Sequence, residues 1–124
     1  MRVMAIRYVR DVDAARRFYE ALGLTLEFAS RKPRRGRQAV WSELSGAGAG
    51  GHLALHQWNS EPVHPVELTF QADEALEHIV ERLRAAGYEP ATEIVDEAFG
   101  RSFTIEDPEG LMIQINENDY DLQR

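Results

Sequence analysis

The stretch EDPEGLMIQINE, Glu106 to Glu117, decides how this chain folds. Asp107, Pro108, Glu109 and Gly110 have the chemistry of a tight turn, because proline pre-sets one dihedral and glycine accepts the left-handed one. The chain is expected to reverse there. Beyond the turn the residues alternate, so that Leu111, Ile113 and Ile115 can face a core covered by a helix while Met112, Gln114 and Asn116 point the other way. A strand with one apolar face and one row of amides is suited to lining a cavity.

Upstream, the same kinds of segment occur in two successive sets. Val3 to Val9 reads as a strand, and Asp11 or Asp13 can accept hydrogen bonds from the free amides of a helix start. The helix runs to about Leu22, with Ala14, Ala15, Phe18, Tyr19 and Leu22 at helical spacing and Gly23 placed to end it. Leu24 to Phe28 and Ala39 to Leu44 read as a hairpin joined by the basic RKPRRGR loop, Arg31 to Arg37. SGAGAGG, Ser45 to Gly51, is a turn segment that lacks P-loop spacing, and His52 to Trp58 is a further strand. Pro62 and Pro65 mark a linker over residues 59–65. The order then begins again: a strand at Val66 to Gln71, an N-cap at Asp73, a helix with Leu76, Ile79, Val80 and Leu83 on one face, and Gly87 at its end. Tyr88 to Val95, Ser102 to Glu106 and Leu111 to Asn116 are the remaining strands.

The repeat has a nearly constant offset. Gly23 and Gly87 are 64 apart, Met4 and Glu67 are 63 apart, and Ala54 and Gln114 are 60 apart. This predicts an α+β fold of two βαβββ modules, residues 1–58 and 66–124, within one domain. Their strands are expected to form a cupped mixed sheet, mostly antiparallel, with the helices on its outer face. Half-units that each expose a curved apolar face are expected to pair, within a chain or between chains, which points to a homodimer.

Composition narrows the function. The chain has 124 residues, 44% of them hydrophobic and 28% charged, which is ordinary for a globular domain able to bury a core without staples. No apolar run approaches the roughly 20 residues of a membrane span, and the N-terminus lacks the apolar core of a secretory signal, so a cytoplasmic protein is expected. The absence of cysteine excludes disulfides and thiolate metal sites. A formal charge of −7 opposes binding to nucleic acid or anionic membranes.

Three segments together resemble the vicinal oxygen chelate superfamily, which includes glyoxalase I, extradiol dioxygenases, fosfomycin-modifying proteins and bleomycin resistance proteins. RYVRDVDAARRFYEALGL, Arg7 to Leu24, is similar to that family's opening strand and helix. VELTFQADEALEHIVERLRAAG, Val66 to Gly87, is similar to the start of its second module, and FGRSFTIEDPEGLMIQI, Phe99 to Ile115, to its closing hairpin. The resemblance implies the fold, and leaves the activity open because this fold carries several. It also implies where metal ligands would fall. The first-strand position falls on Met4, a thioether and a poor ligand for hard or borderline ions, and its counterpart falls on Glu67. The closing-strand position falls on Gln114 and its counterpart on Ala54, so a complete family ligand set is missing and no metal cofactor is expected.

The candidate site is built on these positions. His56 lies two residues beyond Ala54, on the same strand face; with Glu67 and Gln114 it forms the alternative three-ligand set for a divalent ion such as Zn, Ni, Mn or Fe. Glu67 in an apolar cup would have a raised pKa and could act as a general base; otherwise it is a glutamate satisfied by Gln114, Thr69 or water. Met4, Ile6, Tyr8, Trp41, Met112 and Phe99 provide stacking surface, with His56, Glu67, Thr69, Gln114 and Asn116 as sparse polar contacts; the competing reading puts Trp41 and Ile6 in a closed core or at the interface between modules. His52 is expected to be partly solvated, and His64 and His78 to be ordinary surface residues. Arg7, turned toward the helix by strict alternation, needs a bulge, an ion pair or an interface. The basic loop reads as a solvated hairpin tip, or as a cover for an anionic ligand. Three functions remain: a small-molecule-binding protein like the bleomycin-resistance branch, a metal-dependent glyoxalase-like or dioxygenase-like enzyme, and a regulatory or structural partner whose cup its own side chains fill.

Overall fold

The computed structural model describes residues 4–31, 39–48, 50–58, 66 and 68–119, with the backbone alone at 31 and 118. Glu67, His64, the expected linker and residues 32–38 of the basic loop lie outside the described residues. The chain divides into two compact units, Met1–Val66 and Glu67–Arg124.

In the first unit β1 (Ala5–Val9) leads into α1 (Val12–Leu22), followed by β2 (Thr25–Arg31), β3 (Ala39–Ser45) and β4 (His52–Gln57). The second unit contains β5 (Thr69–Gln71), α2 (Leu76–Ala85), β6 (Val95–Glu97), β7 (Gly100–Glu106) and β8 (Met112–Asn118). Each unit has one four-stranded mixed sheet, ordered β1-β4-β3-β2 in the first and β5-β8-β7-β6 in the second. In both, the opening and closing strands pair in parallel and the other pairs are antiparallel. The fold is α+β, and the shared strand order matches two βαβββ modules.

Helix α1 begins where Asp11 accepts a hydrogen bond from the Ala14 amide, and it ends at Gly23, whose φ of 126° disfavours a side chain. Its buried face, Val12, Ala15, Phe18, Tyr19 and Leu22, covers the side of the sheet bearing Val9, Leu44, Leu53 and Leu55. Asp13, the other expected cap, instead accepts the Ala39 amide and ties the helix to β3. Arg7 lies half-buried on this side, and its guanidinium donates to the Tyr8 carbonyl.

Helix α2 corrects one expectation. Its N-cap is Ala75, which makes no side-chain capping bond, so Asp73 does not cap it. A carboxylate from β8 serves instead: Glu117 Oε2 accepts the Leu76 amide at 3.4 Å. Leu76, Ile79, Val80 and Leu83 form the helix's buried side, and Phe103, Ile105, Ile113 and Ile115 are the sheet's buried residues. A second correction concerns Tyr88 to Val95, where the strand is confined to Val95–Glu97. Pro90 has no amide to donate, and the Ala91 and Thr92 amides both turn onto the Thr104 carbonyl instead of forming a ladder.

The turn before β8 forms as its sequence requires. Asp107, nearly buried, accepts the Glu109 and Leu111 amides through Oδ1, its own amide bonds the Leu111 carbonyl, and Gly110 takes a φ of 88°.

Candidate functional site

Alternation along the strands gives each sheet a helix-covered face and an opposite, open face. In the first unit the register places Ile6 beside Ala54 and Tyr8 beside His56 across β1 and β4. Across β4 and β3, Ala54 is opposite Glu43 and His56 is opposite Trp41. On β2, Phe28 is opposite Glu43. The open face therefore carries Ile6, Tyr8, His56, Trp41, Glu43 and Phe28.

Three rings form a row across that face. His56 lies between Tyr8, with ring centroids 5.2 Å apart, and Trp41, at 5.4 Å and nearly perpendicular. Tyr8 is 38% exposed and Phe28 53%, large values for aromatic side chains. Trp41 is half-buried on the open face rather than enclosed in the core. The other tryptophan, Trp58, is covered by the Arg10 guanidinium at 5.3 Å.

The His56 imidazole is oriented. Its Nδ1 is hydrogen-bonded to the Gln57 carbonyl, which can only accept, so in the neutral ring the proton sits on Nδ1. Nε2 is then a lone pair, available as an acceptor or a base.

His52 is largely covered but still partly solvated, as expected, with its side chain 9% exposed; Nε2 lies 3.5 Å from Glu43 Oε1 and has no hydrogen-bond partner. The sequence reading left out Glu43 and Phe28. Only the register shows Glu43 among Phe28, Trp41 and Ile6.

The second unit's open face is built from equivalent register positions but has different chemistry. Thr69 pairs with Gln114 and Gln71 with Asn116 across β5 and β8; Thr104 pairs with Gln114 and Ser102 with Asn116 across β7 and β8. Where the first unit has Ile6, Ala54, His56 and Trp41, this one has Thr69, Gln114, Asn116 and Ser102. The Gln114 amide nitrogen donates to Asn116 Oδ1 at 2.8 Å, which fixes both amides. Met112 on β8 is 46% exposed, Thr69 is exposed, and Phe99 is half-buried in the β6–β7 turn, where its carbonyl accepts the Asp119 amide.

At the family's ligand positions in the first unit stand the Met4 thioether and Ala54, which has no donor and is fully buried. No group of three His, Cys, Asp or Glu side chains able to hold a metal ion occurs among the described residues. His56 belongs to the first unit and Gln114 to the second, while Glu67, the third alternative ligand and expected base, lies outside the described residues.

No helix among the described residues is long and apolar enough to cross a membrane. The profile of the Glyoxalase/Bleomycin resistance protein/Dioxygenase superfamily matches residues 3–115. No curated protein matches the sequence. Among solved structures, TioX from Micromonospora sp. ML1 is similar with a TM-score of 0.73 and 18% identity, over 96% of this chain and 99% of that one. A glyoxalase/bleomycin resistance protein from Streptomyces sp. CB03234 gives 0.72 and 23% identity over 94% and 100%. The fosfomycin resistance protein FosX from Listeria monocytogenes gives 0.70 and 16% identity over 98% and 94%. At these identities the likeness is one of fold.

Proposed function

Because the chain belongs to the glyoxalase/bleomycin resistance protein/dioxygenase superfamily, we propose that it is a member that binds a small apolar or aromatic molecule and works without the usual catalytic metal. The observation that carries this reading is the row Tyr8, His56 and Trp41 on an open sheet face, extended by Ile6 and Phe28. Exposed rings on a rigid sheet give stacking area at little entropic cost, and the His56 lone pair orients what stacks there. The amide and hydroxyl row of Thr69, Gln114 and Asn116 supplies further hydrogen-bonding groups in the second unit. Antibiotic-resistance proteins among the fold relatives are in keeping with a ligand-sequestering role.

Calorimetric titration with naphthalene-type probes tests the reading. Tyr8→Ala should weaken binding by about 2- to 10-fold, the usual worth of one aromatic contact. Unchanged affinity in that variant would remove the row from the site. Thermal shift tests the metal-free part, since a bound metal raises the midpoint by mass action. Adding Zn, Ni, Mn or Fe(II) should leave the midpoint unchanged, and a saturable rise abolished by His56→Ala or Glu67→Ala would restore the enzyme reading on His56, Glu67 and Gln114.

The reading includes a homodimer in the cytoplasm. Met4, Ile6, Tyr8, Phe28 and Met112 are all more than a third exposed, a pattern associated with association or ligand surfaces. Sedimentation at micromolar concentration should give a dimer, and a monomer there would discard that part alone.

A further inference from the structure

Glu43 stands in the middle of the first unit's open face. Phe28 and Ala54 flank it across the strands, Ile6 lies beyond Ala54, and Trp41 is the next side chain along β3 on that face. It is 24% exposed, so this carboxylate is largely withdrawn from water among aromatic and aliphatic groups. Beside it the His52 side chain, 9% exposed, holds Nε2 at 3.5 Å from Oε1 with no hydrogen bond reaching it. That distance is too long for a good hydrogen bond.

The neighbouring polar groups have the same sign. His56 presents an Nε2 lone pair, and the faces of the Tyr8, Trp41 and Phe28 rings carry negative quadrupole charge. All of these favour a donor, and most of all a positively charged one. The chain's formal charge of −7 draws cations toward it at long range.

Resting on the binding reading above, we propose that the ligand is an aromatic cation bearing N–H groups. Its ring lies on the row of Tyr8, His56 and Trp41, and its charged nitrogen is held by Glu43. Glu43 thus decides specificity, rejecting neutral and anionic rings of the same shape.

Three probes with one ring system separate this from binding in general: naphthylmethylammonium, naphthylmethanol and naphthoate, each titrated calorimetrically into the full chain and into Glu43→Gln. The ammonium should bind about tenfold more tightly than the alcohol, as expected for a charged hydrogen bond, and naphthoate most weakly. Glu43→Gln should bring the ammonium to within about twofold of the alcohol, since the carboxylate's charge is removed. If Glu43→Gln fails to fold, the order of the three probes on the unaltered chain decides, and any order in which the ammonium is not first overturns the proposal. Equal binding of ammonium and alcohol, or a preference that survives in Glu43→Gln, overturns it and leaves the aromatic-binding reading standing. Failure of all three to bind removes both.

Discussion

Ser42 lies on the helix-covered side of β3, fully buried, and its hydroxyl has no hydrogen-bond partner. A hydroxyl in that setting has lost its water without compensation, so Ser42→Ala should be neutral or stabilising by up to about 1 kcal/mol, read from the midpoint of urea unfolding. A clear loss of stability would mean that the hydroxyl is satisfied after all. Asp107 is the opposite case, a buried carboxylate that accepts two backbone amides. Asp107→Ala should cost about 1–3 kcal/mol because both amides lose their acceptor. This aspartate and Gly110 were legible in advance, since a turn is written in adjacent residues. Glu43 and His52 were not, because what makes them unusual is which neighbours the strand register gives them. In AVWSELS the alternation alone does not say which face is covered; here the tryptophan and glutamate take the open side and a serine the covered one.

The β6–β7 hairpin and helix α2 are held by contacts distant in sequence. Gly100 has a φ of 144°, and a Cβ placed there would meet the Glu117 carbonyl oxygen at 2.0 Å. Gly100→Ala should therefore destabilise by at least about 1–3 kcal/mol, the range for strained backbone, measurable by denaturant unfolding. The start of α2 depends on Arg101, which joins Glu117 at 2.9 Å and Glu77 at 3.1 Å, so that helix, β7 and β8 share one guanidinium. The bonds from Arg101 lower the Glu77 pKa from 4.5 to about 2. The native state therefore binds the proton less readily than the unfolded one, and Glu77 contributes stability that is whole above about pH 4.5 and fades as pH falls toward 2. Because Glu77 is exposed, the contribution is small. The stability difference between the native chain and Glu77→Gln should shrink over that window in acid unfolding, and a difference independent of pH would contradict the pairing. Asp73 was the natural local cap for this helix, and Glu117 replaces it through a contact from β8 that sequence spacing does not display.

The two units share strand order and register but differ in what their open faces carry: rings and a carboxylate in the first, hydroxyls and paired amides in the second. The positions that face the helices are apolar and buried in both units, Leu53 and Leu55 in the first and Ile113 and Ile115 in the second, whereas the other faces differ. A fold under that constraint can change its ligand without changing its core. A ligand seated on the first unit's face should raise the unfolding midpoint of the whole chain in proportion to the logarithm of its concentration above Kd, and a midpoint that stays level at saturating probe would argue against a native-state site.

The repeat, the helix faces, the closing turn and the α+β class were determined by the sequence itself, because each rests on short-range periodicity or on the dihedral preferences of proline and glycine. The aromatic row, the placing of His52 beside Glu43, the tautomer of His56 and the remote cap of α2 were decided only in three dimensions. They depend on which residues of separate strands come opposite one another, and that pairing arises from packing the two faces of a sheet rather than from any property of a single stretch of chain.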